Sequence, residues 1–175
     1  MVTRVGSVRG SGLALAQIQF REEDGMEWFV KAFVRSSLAW FGLGIVAGVA
    51  MAVQPSWVVY RPAHAHMNVV GFLTMMVFGV GYQLLPRLFG HPLWSRKLAI
   101  SHWWLANTGL AGMIAGFVAA PHIGKSGSMV VAAGGTLFAI GALGFVLNMW
   151  HTFNMADARA RERDQKRSLP TTQQE

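Results

Sequence analysis

The chain has 175 residues, of which 53% are hydrophobic and only 13% are charged, and its formal net charge is +7. A soluble domain usually carries about 25% charged residues, so this composition argues against the soluble globular class. The sequence contains no cysteine, which excludes disulfides, thiolate metal sites and cysteine-linked prosthetic groups.

Four long stretches contain no Asp, Glu, Lys or Arg: residues 36–60, 62–86, 98–124 and 126–156. Each exceeds the roughly 20 apolar residues that a helix needs to cross a hydrocarbon core of about 30 Å. The sequence therefore predicts an all-α integral membrane four-helix bundle. The predicted spans are residues 36–54, 64–86, 98–119 and 129–151.

The predicted membrane domain, residues 32–156, is flanked by two segments that we expect to be cytoplasmic. Residues 1–31 form the N-terminal segment, in which residues 13–20 are either an amphipathic surface segment or disordered. Residues 157–175 form a charged tail that begins as a helical extension and then frays.

Basic residues are distributed unevenly between the two ends of the predicted helices. With a cytoplasmic N-terminus, only Arg61 and Lys125 lie on the outer side, and every other Lys and Arg lies inside. The positive-inside rule then predicts a multi-pass protein of the bacterial inner membrane with both termini in the cytoplasm. We accordingly expect membrane lipid around the chain and no nucleic-acid partner.

Two histidines, His64 and His66, stand at the start of the second predicted span. In a helix, two positions differ by about 200° of rotation and 3 Å of rise, so the rings point to opposite flanks. They cannot both ligate one metal ion from the same segment. Either at least one of them is a ligand, or both are solvated interfacial side chains near Arg61. If both are ligands, the helix lies between two sites.

A b-type heme is the cofactor that suits this pattern, because neutral imidazole is a good axial ligand of iron. Asn68 lies four residues after His64, on the same flank, and could line the same pocket. Gly71 would leave room for a flat macrocycle. Copper is the alternative cofactor, held by His64, His66, Met67 and neighbouring residues.

The remaining histidines give weaker signals. His102, in the third span, and His151, at the end of the fourth, are predicted on the same side of the membrane. They either share a second metal site or are ordinary histidines of an aromatic belt. His91 and His122 are predicted to lie in loops.

The run from His64 to Pro121 resembles the tenth and eleventh helices of subunit I in the heme–copper oxidase family, which includes cytochrome c oxidases and nitric oxide reductases. In that family a His-x-His pair opens a helix, a Gly-rich aromatic stretch runs to a proline, and the next helix begins with Lys and His. Here the same order reads "HAHMNVVGFLTMMVFGVGYQLLP", "RLFGHPLWS" and "RKLAISHWWLANTGLAGMIAGF". The resemblance implies that His64 binds a high-spin heme and His66 a low-spin heme.

The sequence also departs from this family. Subunit I has twelve helices in three arcs of four, so the resemblance implies a single four-helix arc here. The copper-ligating histidine cluster and its cross-linked tyrosine have no counterpart. The basic pair that meets the heme propionates is reduced to Lys125, with Arg61 as a possible substitute. A homotrimer could rebuild the three arcs, with a heme between His64 of one protomer and His66 of the next.

The sequence thus predicts a membrane b-type heme protein that transfers electrons or binds a diatomic gas, O2 or NO. A redox partner protein or a quinol would exchange electrons with it. Two alternatives stay open. One is an oxygen or nitric oxide reductase assembled across protomers, so the sequence leaves open whether the chain is an enzyme. The other is an accessory or copper-binding membrane subunit without heme.

Overall fold

The computed structural model describes residues 26–168, which form four helices joined by short connections. The helices are α1 (Trp28–Val53), α2 (Pro55–Leu88), α3 (Arg96–Ile123) and α4 (Lys125–Ser168). All four are long and apolar enough to cross a membrane. The predicted all-α fold with four transmembrane helices is therefore confirmed, and the protein is a multi-pass membrane protein. The predicted segment at residues 13–20 and the end of the predicted tail, residues 169–175, lie outside the described residues.

Three of the helices extend well beyond their predicted ends, and one of them, α2, begins at Pro55 rather than near residue 64. Helix α1 begins at Trp28 rather than near residue 36, because Phe29 and Phe33 are buried in the core while Lys31 and Arg35 are exposed on its other faces. A search for charge-free stretches could not detect these first eight residues, which make about two helical turns. Helix α4 continues to Ser168, so the predicted helical start of the charged tail is confirmed.

Helix α2 is continuous but changes its winding along its length. It begins as a 3-10 helix over Pro55–Tyr60, becomes α-helical over Arg61–His66, is π-helical over Met67–Thr74, and ends as an α-helix over Met75–Leu88. A π-helical stretch is rare, and such stretches occur frequently at functional sites. This one begins immediately after the histidine pair.

Helices α3 and α4 pack along most of their length through glycines. A Cβ added at Gly134 would lie 2.5 Å from the Met113 nitrogen and 2.6 Å from the Gly109 oxygen. The two backbones therefore touch directly, as small residues permit between membrane helices. A single residue outside the helices, Gly124 with φ of 57°, connects α3 to α4.

Two buried polar side chains of α4 hold the loop that precedes α3. The Asn148 Oδ1 atom accepts from the Ser95 N–H at 3.0 Å, and its Nδ2 donates to the Ser95 carbonyl at 2.7 Å. The Thr152 hydroxyl accepts from the Trp94 N–H at 3.1 Å. Ser95 in turn caps α3, since its hydroxyl accepts from the Leu98 N–H. These bonds fix where α3 begins.

Candidate functional site

The His64 ring lies in a notch on helix α1 formed by two glycines. Its Nδ1 is 2.9 Å from the Gly44 carbonyl oxygen, and a Cβ added at Gly48 would come within 2.9 Å of its Cε1. Asn68 covers the ring from its own helix: its Nδ2 donates to the His64 carbonyl at 2.9 Å and lies 3.4 Å from His64 Nδ1. An added Cβ would meet the imidazole at Gly48 and the Asn68 amide, at 2.7 Å, at Gly44, so both α1 positions need glycine for the pair of side chains to pack this closely.

The His66 ring faces a different helix. Its centroid lies 4.6 Å from that of Phe117 in α3, and its Nδ1 is 2.8 Å from the Pro62 carbonyl oxygen. His64 contacts α1 and His66 contacts α3, so the two rings point to opposite flanks of α2, as helix geometry predicts. The pair cannot converge on a single ion in this arrangement.

Both histidines are held in the same tautomer. A carbonyl oxygen can only accept a hydrogen bond, so Nδ1 of each ring must carry the proton and donate it. The Nε2 atom of each neutral ring then keeps a lone pair, and within residues 26–168 neither Nε2 has a hydrogen-bond partner. A backbone carbonyl on the other ring nitrogen is the usual way in which proteins orient a metal-binding histidine.

The other residues predicted around this pair lie as follows. Asn68 contacts His64, as its spacing suggests. Gly71 is buried in the π-helical stretch, but the space beside it is filled, because an added Cβ would lie 2.6 Å from the Trp40 Cβ and 3.1 Å from Leu110. Arg61 is exposed one turn before His64. The room expected at Gly71 for a macrocycle is thus occupied by an α1 tryptophan.

His102 and His151 are not brought together. His102 is completely buried between Phe33 and Phe78, with its Nδ1 3.1 Å from the Tyr82 hydroxyl, and its Nε2 has no hydrogen-bond partner among residues 26–168. It packs against Gly141 of α4, a position about 15 Å along that helix from His151. His151 is exposed and stacks on the Trp94 ring at 4.4 Å.

The two histidines predicted in loops differ from each other. His91 does lie in the loop between α2 and α3, where it is buried and its Nδ1 is 2.7 Å from the Pro92 carbonyl oxygen. His122 instead belongs to the last turn of α3, and its Nε2 is 2.9 Å from the Tyr60 hydroxyl. The prediction of a loop at His122 was wrong because α3 continues through Pro121. Among the described residues, no group of three or more His, Asp or Glu side chains could hold a metal ion.

Sequence reasoning missed the contacts that define this site. The four-residue spacing of Gly44 and Gly48 indicates a close approach to α1, and the groups that approach are the Asn68 amide and the His64 imidazole of α2. Nothing in the sequence pairs Tyr82 with His102, because that bond depends on the register between α2 and α3.

Comparison with known proteins shows the family to which this chain belongs. A family model described as cytochrome c and quinol oxidase polypeptide I matches residues 29–171. The chain is similar to the Cbb3-type cytochrome c oxidase subunit CcoN1 of Stutzerimonas stutzeri, with 26% identity over 157 residues, covering 71% of this chain and 32% of the relative. It is also similar to cytochrome c oxidase subunit 1 of Rhodobacter capsulatus, with 27% identity over 149 residues, covering 66% of this chain and 27% of the relative.

The chain spans less than a third of the length of these curated relatives. The family model, in contrast, matches most of this chain, including all four membrane helices apart from the first residue of α1. The resemblance read from the histidine pair and the following helix is therefore confirmed. The chain belongs to the cytochrome c and quinol oxidase polypeptide I family.

Proposed function

We propose that this protein binds b-type heme through the Nε2 atoms of His64 and His66 and uses it in the bacterial inner membrane for electron transfer or for binding O2 or NO. One observation carries the proposal: Nδ1 of both imidazoles lies within hydrogen-bond distance of a backbone carbonyl, so in the neutral ring Nδ1 carries the proton and Nε2 keeps the lone pair. Such a ring is in its ligand form before iron arrives, so binding requires no tautomer change. Heme, when bound, would supply the one-electron and gas-binding chemistry.

The residues around each imidazole would orient it and set its donor strength. The Gly44 and Pro62 carbonyls hold the two rings in position and make Nε2 a stronger donor. Asn68 restricts His64 further, because its side-chain amide donates a hydrogen bond to the backbone carbonyl of His64. The exposed Arg61, one turn away, is a cation that could pair with a propionate, and the exposed Lys125 at the same end of the bundle is a second.

The opposed directions of the two rings favour heme sites that are shared between protomers over a site within one protomer. Helix α2 offers one ligand toward α1 and a second ligand toward α3, so each protomer would contribute to two different heme sites. Three copies of a four-helix chain would supply the twelve helices that the family resemblance implies, and we propose a homotrimer on that ground. A redox protein or quinol would then exchange electrons with the assembly. A single copper ion held by both histidines and Met67 is disfavoured, because the two rings do not converge.

Absorption spectra of the detergent-purified protein test this proposal. The oxidised and dithionite-reduced spectra, with and without CO, are compared for the wild type, His64→Ala, His66→Ala and the matched control His122→Ala. We expect a b-type signal that is weakened or shifted by the first two substitutions and unchanged by the third. Insensitivity to CO would indicate six-coordinate, electron-transferring heme, whereas a CO shift would indicate an open iron and gas binding.

Two results would contradict the proposal. If the purified protein contains no heme, the chain is not a heme protein. If heme content and spectra are equal in all four proteins, His64 and His66 are not the heme ligands. The trimer has its own test, since the mass of the heme-loaded protein in mild detergent must correspond to three chains. A monomer or dimer that retains heme would exclude it. Turnover of O2 or NO with a quinol or cytochrome c donor would identify the protein as a reductase.

A further inference from the structure

Helices α1 and α2 interlock through three pairs of positions at which a large side chain of one helix lies against a glycine of the other. The pairs are Trp40 with Gly71, Asn68 with Gly44, and His64 with Gly48. A Cβ added at any of these glycines would come within 2.9 Å of its partner's side chain. The α1 members are four residues apart and share one face of that helix, and their α2 partners follow in the opposite order, as in an antiparallel pair. The three contacts together fix the register between α1 and α2.

Trp40 differs from the other two large side chains because it belongs to α1 and inserts into α2. Its Nε1–H also donates to the Asn107 Oδ1 of α3 at 3.4 Å. Asn107 is held in turn, since its Nδ2 donates to the Trp103 carbonyl at 2.9 Å. Trp40 therefore ties α1 to both α2 and α3, one helical turn before Gly44.

The two histidines of the proposed heme site depend on this register to different degrees. The acceptor for His64 Nδ1 is the Gly44 carbonyl of α1, whereas the acceptor for His66 Nδ1 is the Pro62 carbonyl of its own helix. A shift of α1 by one residue displaces its carbonyls by about 1.5 Å along α2. Such a shift would spoil the distance and angle of the His64 bond and would leave the His66 bond unchanged.

We propose that Trp40 is a positioning residue for His64 and not for His66. Its indole holds α1 in the register at which the Gly44 carbonyl accepts from His64 Nδ1, and this keeps the lone pair of that ring on Nε2. The consequence for heme binding rests on the function proposed above, but the effect on the imidazole does not require heme. The orientation of one histidine is thus controlled by helix packing, and that of the other by its own helix.

Nitrogen-15 NMR of the heme-free full chain, labelled at histidine, tests the assignment at about pH 8.5, well above the range in which imidazole ordinarily titrates. Protonated and bare ring nitrogens give separate signals, which single alanine substitutions assign. We expect the Nδ1–H form at His64 and His66 in the wild type. In Trp40→Leu, His64 should become a mixture of tautomers while His66 keeps the Nδ1–H form. Trp103→Leu is the matched control, because its indole also joins α3 to α1, at 3.0 Å from the Ser36 hydroxyl, but belongs to none of the three pairs.

Heme titration provides a second readout. In a His66→Ala background, adding Trp40→Leu should lower the heme affinity about tenfold, a usual cost of losing the group that orients a metal-binding histidine. In a His64→Ala background, the same substitution should leave the affinity unchanged. A wild type that binds no heme would contradict the proposed function, and the NMR comparison alone would then decide the role of Trp40.

Three outcomes would overturn the proposal. His64 could keep its wild-type tautomer in Trp40→Leu, both histidines could change equally, or Trp103→Leu could have the same effect as Trp40→Leu. If Trp40→Leu loses its fold by circular dichroism, Gly71→Ala carries the test, because its methyl group would push against the Trp40 Cβ from the α2 side. That variant should disturb His64 and not His66, and an unchanged His64 would again overturn the proposal.

Discussion

Adjacent glycines on α4 provide a stringent test of the backbone contact between α3 and α4. Gly134 faces α3, where an added Cβ would lie 2.5 Å from the Met113 nitrogen and 2.6 Å from the Gly109 oxygen. Gly135, one residue on, would place the same methyl group 3.8 Å from the Met113 sulfur, an ordinary contact. We therefore expect Gly134→Ala and Gly135→Ala to change stability in opposite directions.

The magnitudes follow from two opposing effects. Alanine is favoured over glycine in a helix interior by about 0.5–1 kcal/mol, and both substitutions gain this. At Gly134 the methyl group meets backbone atoms about 1 Å inside the normal separation of about 3.5–4.0 Å, so the helices must move apart. Overpacking of this kind costs about 1–3 kcal/mol. Gly134→Ala should thus destabilise the protein by up to about 2.5 kcal/mol, whereas Gly135→Ala should stabilise it by up to about 1 kcal/mol.

Reversible unfolding in mixed micelles of rising sodium dodecyl sulfate content measures both variants, with circular dichroism and tryptophan fluorescence as the signals. The two midpoints should lie on opposite sides of the wild-type midpoint. If both substitutions shift the midpoint by the same amount, then the α3–α4 interface does not bring the backbones together at this position.

Three further substitutions probe the buried polar contacts and the histidine notch. Tyr82→Phe removes the hydroxyl bonded to the buried histidine of α3 and should lower the free energy of unfolding by about 1–3 kcal/mol in the same assay; an unchanged midpoint would contradict this. Asn148→Leu removes both bonds to the loop before α3 and should cost a similar amount, with faster proteolysis of that loop as a second readout. Gly44→Ala would bring a methyl group within 2.7 Å of the Asn68 amide and should weaken heme binding about tenfold by heme titration, whereas Gly42→Ala faces open space and should have no effect.

Charge-free length was sufficient to predict the four helices, but the ends of the helices depend on packing. Because Phe29 and Phe33 are buried in the core, α1 begins at Trp28, before Arg35, the charged residue that precedes the first charge-free stretch. The α-helical period places His64 and His66 on opposite flanks whatever surrounds them, so that part of the site could be predicted from spacing alone.

The partners of these side chains could not be predicted in the same way. The register between α1 and α2 decides which backbone carbonyl accepts a hydrogen bond from His64. In addition, the π-helical winding after His66 changes the direction in which every later side chain of α2 points. A regular helix would misplace Gly71, whose expected open space is filled by Trp40. The separation of His102 from His151 likewise follows from the register between α3 and α4, which places His102 beside Gly141, ten residues before His151.

The one-residue connection at Gly124 bears on how the chain assembles in the bilayer. Helices joined so tightly have no freedom to search for other neighbours, and loop closure between them has almost no entropic cost. Their glycine contacts need no side chain from α1 or α2. We therefore expect α3 and α4 to insert together as a helical hairpin and to associate independently. The half of the bundle that carries His64 and His66 would then dock onto this finished pair, although it leaves the ribosome first.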